Sequence, residues 1–198
     1  MNNIKSFKSQ LALALIAIGL FACAVVAQGP IPPKSAGNVK VKYDKGKDRT
    51  TVSLKSSTIT TIGQEKATAS NLPLHQMDFE AWFTYSGETP GKPVEEAVFR
   101  FHCVAGTYIF LKGQEVLVAV DRLVPGKDRG FSLGMTGYKS TAPKFNSVYE
   151  EFLDVKVPTD AIKKIGSAET VEFYLGPIPY KFTPKQMESF RQFSQYLP

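Results

Sequence analysis

The chain has 198 residues, two cysteines and a formal net charge of +6. Its length suits a single domain that buries roughly 70 % of the surface of the unfolded chain. Two cysteines, one of them inside an N-terminal apolar segment, exclude a disulfide-stapled scaffold, so an ordinary hydrophobic core has to provide the stability.

Residues 1–27 have the three zones of a secretory signal peptide. Lys5 and Lys8 form a positive start, an uncharged apolar run covers residues 11–27, and small residues end it. The pattern predicts cleavage after Ala27. The mature chain would then keep 171 residues and a formal charge of +4, because the removed segment contains two lysines and no acids.

Two alternatives to cleavage after Ala27 stay open. Residues 20–23, LFAC, resemble the bacterial lipoprotein signal, in which Cys23 would be the lipidated residue. The apolar run is also nearly long enough for an uncleaved membrane anchor. All three alternatives place the protein outside the cytoplasm, in the periplasm or extracellular space, with lipid anchoring as the less favoured form.

Export changes what the positive charge implies. A basic pI in a cytosolic or nuclear chain would indicate nucleic-acid binding. In an exported chain it indicates anionic lipid, polysaccharide or simple solubility, so no nucleic-acid partner is expected.

After an irregular leader rich in proline and glycine, residues 28–37, apolar and polar residues begin to alternate. A period of two is typical of a half-buried strand. The first predicted strands cover residues 39–44, 49–54 and 57–62, with a turn at residues 45–48.

The two strongest predicted strands cover residues 76–85 and 94–104. If they pair as antiparallel neighbours, one register consistent with face alternation joins residues whose numbers sum to 180. It stacks Phe79 on Phe101 and Ala81 on Phe99 inside the sheet. Outside, it places Asp78 opposite His102, Glu80 opposite Arg100, and Trp82 opposite Val98.

The sequence pattern of the second half of the chain predicts further strands and two short helices. A hairpin around Gly113 is predicted from residues 108–111 and 115–121. Residues 122–148 form an unusually long connection, broken by a short strand near 131–135. The remaining strands are 151–157 and 171–175.

The first helix covers residues 160–165, with Thr159 as its cap and Gly166 as its stop. The second begins at Thr183-Pro184, where a capping box with Gln186 is predicted. Many short strands and few helices predict a mainly β protein, an antiparallel β-sandwich with two short helices, one at the C-terminus, in a single domain over residues 38–198.

One predicted surface combines the only tryptophan with charged side chains. The candidate ligand-binding residues are Trp82, Asp78, Glu80, Arg100 and His102, because an exposed tryptophan beside carboxylates and an arginine can serve as a platform for a sugar ring or a partner side chain. The competing interpretation is that a loop or the C-terminal helix covers Trp82 as part of a second small core.

A second candidate surface is basic. Lys127, Arg129, Lys139 and Lys144 in the long connection predict contact with an anionic lipid or lipopolysaccharide surface. Membrane contact is therefore expected only through this basic loop or through lipidation at Cys23. A mobile, solvated connection is the competing interpretation of the same residues.

The sequence contains few motifs that are typical of catalysis, and no enzyme activity, metal or cofactor is expected. His102 and Cys103 are adjacent on a predicted strand and point to opposite faces, so they cannot readily share a metal. Cys103 is in register with Phe99 and Phe101 and is expected to be a small buried hydrophobic residue. No nucleophile elbow and no phosphate-binding loop is present in the sequence.

The stretches FLKGQEVLVAVD and FLDVKVPTDAIKKIGSAETVEFYLG, together with the signal segment, resemble uncharacterised exported bacterial β-rich proteins. The resemblance covers about the last half of the chain and implies a bacterial envelope setting, with no activity and no catalytic residue to carry over. We therefore expect a non-catalytic envelope or periplasmic protein of unknown specific role in binding or assembly, with an unknown protein or glycan partner. The alternative is a glycan-binding module that uses the Trp82 surface.

Overall fold

A computed structural model describes residues 37–62, 75–122, 129–141 and 148–197. All of them belong to one compact unit within residues 32–198. The signal segment with Cys23, and leader residues 28–36, lie outside the described residues, so the expectations about them stay predictions.

Ten antiparallel strands and two helices make up the regular structure of the described residues. The strands follow the order β6-β5-β9-β10-β2-β3-β4-β8-β7 in one sheet, and β1 pairs with β2 beside this path. Their bounds are β1 Val39–Asp44, β2 Arg49–Thr61, β3 His75–Ser86, β4 Glu96–Ala105, β5 Glu115–Val120, β6 Arg129–Met135, β7 Gly137–Thr141, β8 Tyr149–Pro158, β9 Val171–Leu175 and β10 Ile178–Lys181, with helices α1 Thr159–Gly166 and α2 Pro184–Ser194.

The mainly β fold with a C-terminal helix is confirmed, but the strands form one continuous path where two separate sheets were expected. The sheet curls strongly. Strands four places apart, such as β9 and β4, would lie about 19 Å apart in a flat sheet, since neighbours are about 4.8 Å apart. The rings of Phe173 on β9 and Phe101 on β4 are only 5.5 Å apart. The inner faces of the two halves therefore pack against each other across a common core.

The ends of the sheet also approach each other. β6 and β7 occupy opposite ends of the strand order, yet only Thr136 separates them in the chain. The two edges of the sheet therefore meet at Thr136, and the sheet resembles an open barrel. Helix α2 packs on the inner side, where Phe190 lies 5.6 Å from Phe99 and 6.3 Å from Phe79.

The predicted register of the central hairpin is confirmed at every predicted pair. β3 and β4 place Asp78 opposite His102, Glu80 opposite Arg100, and Trp82 opposite Val98. The register is well specified because a shift by one residue would turn the inner aromatic side chains to the outside.

Two strand predictions were wrong, for different reasons. Residues 49–54 and 57–62 are parts of a single strand, β2, that contains a register shift between Leu54 and Ser57. The predicted strand at residues 108–111 is an irregular loop, because Glu151 accepts the backbone N–H groups that this segment would need for a hairpin. The short strand β10 was missed, and β6 and β7 occupy part of the predicted long connection.

The two helices are confirmed, with one change at a cap. Thr183 and Gln186 form the predicted capping box at the start of α2. At α1, Pro158 is the N-cap residue and no side chain caps the helix, so the expected role of Thr159 was wrong. The Thr159 hydroxyl donates to the backbone carbonyl of Val94, a tertiary bond that the local sequence does not reveal. No helix within the described ranges is long and apolar enough to cross a membrane.

Candidate functional site

Side chains on β3, β4 and β8 alternate between the core and the outside of the sheet. On all three strands, the even-numbered residues point outward, and we call this surface the Trp82 face. Its central members are Asp78, Glu80, Trp82, Arg100, His102, Phe152 and Asp154, which are all partly buried. The five residues predicted to form a ligand site are therefore brought to one surface, with Phe152 and Asp154 added by β8.

Arg100 is the central charge of the Trp82 face. Its Nε and Nη2 atoms donate to the two carboxylate oxygens of Asp154 at 2.7 and 2.8 Å, and Nη1 donates to Glu80 at 3.4 Å. The hydrogen bonds to Asp154 raise the pKa of the Arg100 guanidinium above its ordinary value. A two-point bond of this kind also fixes the plane of the guanidinium, so Arg100 is held as a rigid group.

Aromatic rings flank this guanidinium. Arg100 Cζ lies 5.0 Å from the centre of the Trp82 ring and 5.5 Å from the centre of the Phe152 ring. The His102 ring stacks on Phe152 with centroids 4.4 Å apart and planes 4° apart. The face thus carries a continuous row of flat groups, Trp82, Arg100, Phe152 and His102, which together present stacking surface and polar edges.

Asp78 and His102 lie opposite each other in register but have different partners. The Asp78 carboxylate accepts from the Thr58 hydroxyl at 2.7 Å and from the Gln76 amide at 3.0 Å. The nearest acid to His102 is Glu150, 3.4 Å from Nε2, and this contact lacks the geometry of a hydrogen bond. The structure therefore places the pair on one face without joining the two side chains.

An open cleft of about 680 Å³ lies beside Trp82. It follows the end of β3 and the connection into β4. Its polar lining includes Thr84, Lys92, Glu95 and Glu96. Hydroxyl, ammonium and carboxylate groups next to an indole ring are the mixture of apolar surface and convergent polar groups that small-molecule sites use.

The predicted cover over Trp82 is not provided by the C-terminal helix. Helix α2 packs against the inner side of the sheet, and its Phe193 ring lies 5.4 Å from Phe83, the inward neighbour of Trp82. Trp82 itself is half-buried, with Arg100 over its ring.

The predicted basic surface can be followed only in part. Lys139 is exposed on β7 and lies opposite Phe152, at the margin of the Trp82 face. Lys127 and Lys144 lie outside the described residues, and for Arg129 only the backbone in β6 is described. The four residues are therefore not shown to form one surface, and the basic surface stays a prediction.

Glu151 is a buried site that the sequence analysis missed. Only 1 % of this residue is exposed, and its carboxylate accepts backbone N–H groups of Ile109, Phe110 and Leu111 at 2.6, 3.0 and 2.9 Å. The Tyr138 hydroxyl donates to it as well, at 2.9 Å. Leu111 has a φ of 62°, a left-handed conformation rare for leucine, and the bonds to Glu151 hold it in place.

A signal for Glu151 was present in the sequence. Leu153, Val155 and Val157 form the inward side of β8, so strict alternation also turns Glu151 inward. What alternation does not reveal is which groups satisfy an inward carboxylate. Here they come from a loop about 40 residues away in the chain.

Cys103 faces the same interior as Glu151 and directly opposes it in the β4–β8 register. Burial, with a smaller contribution from the Glu151 charge, raises the pKa of the Cys103 thiol to about 12. Burial likewise raises the pKa of Tyr180. His102, the preceding residue, points outward, which confirms that the two side chains lie on opposite faces.

Within the described ranges, no group of three or more His, Cys, Asp or Glu side chains is placed to hold a metal ion. Comparisons with protein-family models, with curated proteins and with solved structures find no match. The function therefore has to be argued from the Trp82 face itself.

Proposed function

We propose that this protein is an exported, non-catalytic protein of the bacterial cell envelope that binds a partner through the Trp82 face. The observation that supports this most is the row of Trp82, Arg100, Phe152 and His102 on the outer side of the sheet. These rings are only partly buried and do not contribute to the inner core. Partly exposed tryptophan and arginine beside each other are typical of residues that dominate binding energy at interfaces.

Export is supported by the composition of residues 1–27 alone. The test is the intact mass of the protein purified from its native cells. A mass that begins at Gln28 supports a free exported protein. A mass that begins at Cys23 with added acyl chains supports a lipoprotein, and a mass that retains Lys5 and Lys8 argues against processing.

A non-catalytic role is supported by how the reactive residue types are arranged. Cys103 is buried with a raised pKa, which disfavours the nucleophilic thiolate. His102 points to the other face of the sheet, so the two residues do not form a nucleophile–base pair.

A second, more specific candidate function is glycan binding. It is favoured by the cleft of about 680 Å³, in which the Trp82 ring lies beside hydroxyl and carboxylate groups. Sugar rings have apolar faces that stack on indole and hydroxyl groups that bond to carboxylates, so this lining matches their chemistry.

Trp82 provides the measurement, because it is the only tryptophan in the chain and its fluorescence reports on this site alone. We expect oligosaccharides that bind the cleft to change the emission of Trp82 in a saturable titration. Calorimetry on the Trp82→Ala variant should show binding weakened at least about tenfold. Leu117→Ala, on the exposed side of β5, is the matched control and should bind as the parent does.

Unchanged emission and no heat across a broad set of neutral, cationic and anionic oligosaccharides would reject the glycan function. Full binding in Trp82→Ala would show that a glycan binds elsewhere. In both cases the Trp82 face would be left as a contact surface for a protein partner, which the same variant tests.

A further inference from the structure

The two sides of the Trp82 ring have different surroundings. Arg100, two residues beyond the position opposite Trp82 on β4, lies over the ring. Glu96, two residues before that position, lines the cleft, whereas Arg100 does not line it. The guanidinium and Glu96 therefore lie in opposite directions along β4, and Trp82 itself lines the cleft.

Arg100 has little positive charge left to offer a ligand. Asp154 accepts two of its N–H groups and Glu80 accepts a third, so two carboxylates already surround one cation. A third negative group would have to approach this pair against the charge of both acids. Arg100 therefore adds little net positive charge to the Trp82 face, and it does not line the cleft.

The Trp82 face is acidic, although the whole chain has a net charge of +6. The outward positions of β3, β4 and β8 hold five carboxylates and two permanent cations, a formal charge of −3. The carboxylates are Asp78, Glu80, Glu96, Glu150 and Asp154, and the cations are Arg100 and Lys156. Lys40 and Lys42 on β1 and Lys139 on β7 border these strands on the same side of the sheet, so the excess of negative charge is local to β3, β4 and β8, where it favours cations over anions.

The charged residues that line the cleft are Glu95, Glu96 and Lys92, which together have a formal charge of −1. Lys156 already pairs with Glu96, whereas Glu95 is exposed, and within the described ranges its carboxylate has no hydrogen bond or ion pair. Of the two carboxylates that line the cleft, Glu95 is thus the one without a partner.

We propose that the cleft beside Trp82 takes an uncharged or positively charged sugar residue and discriminates against anionic sugars such as uronic acids. This inference rests on the glycan-binding form of the proposed function and names the ligand class of the same site. The sugar ring stacks on the part of Trp82 that lines the cleft. Its hydroxyl or amino groups donate to the Glu95 carboxylate.

The test is a matched set of three β-1,4-linked trisaccharides that share a glucose-type backbone and differ in charge. They are cellotriose, which is neutral, the glucosamine trimer, which is cationic, and the glucuronic acid trimer, which is anionic. Binding is followed by Trp82 fluorescence and calorimetry in low salt. We expect the neutral and cationic trimers to bind, the cationic one more tightly, and the anionic one at least about tenfold more weakly than the neutral one.

Single substitutions that each remove one negative charge test which residue causes the preference for the cationic trimer. Glu95→Gln should reduce the advantage of the cationic over the neutral trimer several-fold and should leave the salt dependence of the neutral trimer unchanged. Glu88→Gln, a removal of the same charge in the β3–β4 connection outside the cleft lining, is the control and should keep most of the advantage.

The outcomes separate the two proposals. If the anionic trimer binds as well as the neutral one or better, and Lys92→Gln removes that binding, the charge preference is wrong while glycan binding stands. If Glu95→Gln and Glu88→Gln act equally, the preference does not come from the cleft and the inference is also overturned. If no trimer changes Trp82 emission or gives heat, glycan binding itself fails, and the inference fails with it.

Discussion

The inner and outer faces of the β3–β4 hairpin use the same two strands for different purposes. Inside, Phe79, Phe99 and Phe101 are fully buried, and Phe79 lies 5.2 and 5.4 Å from the other two rings. Outside, the rings of Trp82 and the charge of Arg100 are only partly buried. Burial of apolar area stabilises the fold mainly on the inner face, so the outer face is free to carry polar and charged groups.

The largest effect that we expect is the loss of stability when an inner-face ring is removed. Phe99→Ala should lower the free energy of unfolding by about 3–5 kcal/mol, because it leaves a cavity among rings on β3, β9 and α2. Urea unfolding measures the change. Val98→Ala, one residue away on the outer face, is the control and should cost about 1 kcal/mol or less. Equal losses for the two variants would contradict the division of roles between the faces.

The second prediction concerns the thiol on the inner face. Because burial raises the pKa of Cys103 from 9.0 to about 12, labelling of the native protein at pH 8 should be about a thousand-fold slower than in urea. Mass spectrometry of the peptide that contains Cys103 gives the rate. Thr84→Cys, an exposed position at the same hairpin, should label quickly in the native protein. Fast native labelling of Cys103 would place it outside the core.

The same group predicts how stability depends on pH. The folded pKa of Cys103 is higher than its unfolded value, so the unfolded state releases the proton first as pH rises. The contribution of the neutral buried thiol is therefore complete below about pH 9 and is lost between about pH 9 and 12. Urea midpoints measured across this range should fall, and the fall should be smaller in Cys103→Ala.

The third prediction tests the inward carboxylate. Glu151→Gln should cost about 1–3 kcal/mol, because an amide cannot accept all three backbone N–H groups of residues 109–111 and the Tyr138 hydroxyl. Hydrogen exchange should speed up at Phe110 and its neighbours before the rest of the protein responds. Glu150→Gln, the adjacent outward residue, should change stability by less than about 1 kcal/mol. Unchanged exchange at residues 109–111 would show that another group holds this loop.

The smallest expected effect on stability comes from the outer face. Arg100→Gln removes a half-exposed ion pair and a cation–π contact, and should cost about 1 kcal/mol. It should nevertheless shift the fluorescence of Trp82, because the charge over the indole ring is lost. Lys156→Gln, a more exposed member of the same face, should leave the emission unchanged. A large loss of stability in Arg100→Gln would mean that the outer face is part of the core.

Local pattern predicted the parts of the fold where one periodicity dominates. Alternation placed Phe79, Ala81, Phe99 and Phe101 inside, and the β3–β4 register, one of those consistent with that alternation, is confirmed. The capping box at Thr183 was equally local. The curl of the sheet was not predicted, because it depends on contacts such as Phe101 with Phe173 between strands far apart in the chain.

Alternation along the strands also predicted part of the candidate site. Alternation placed Trp82, Arg100 and His102 on one face, but β8 supplied Phe152 and Asp154, and the pairing of β8 with β4 is a long-range choice. The predicted register placed His102 opposite Asp78, but it did not show the partners of the two side chains, which lie on β8 and β2.

The sequence by itself determined which side chains point inward and which outward, because the side-chain period of a strand is two and needs no knowledge of its neighbours. It thereby determined the aromatic core and the mixed polar face of the central hairpin. Only the tertiary structure decided what those side chains meet. The partners of Arg100, the loop bound by Glu151 and the cleft beside Trp82 all depend on which distant strands and loops come together, and local periodicity carries no information on that.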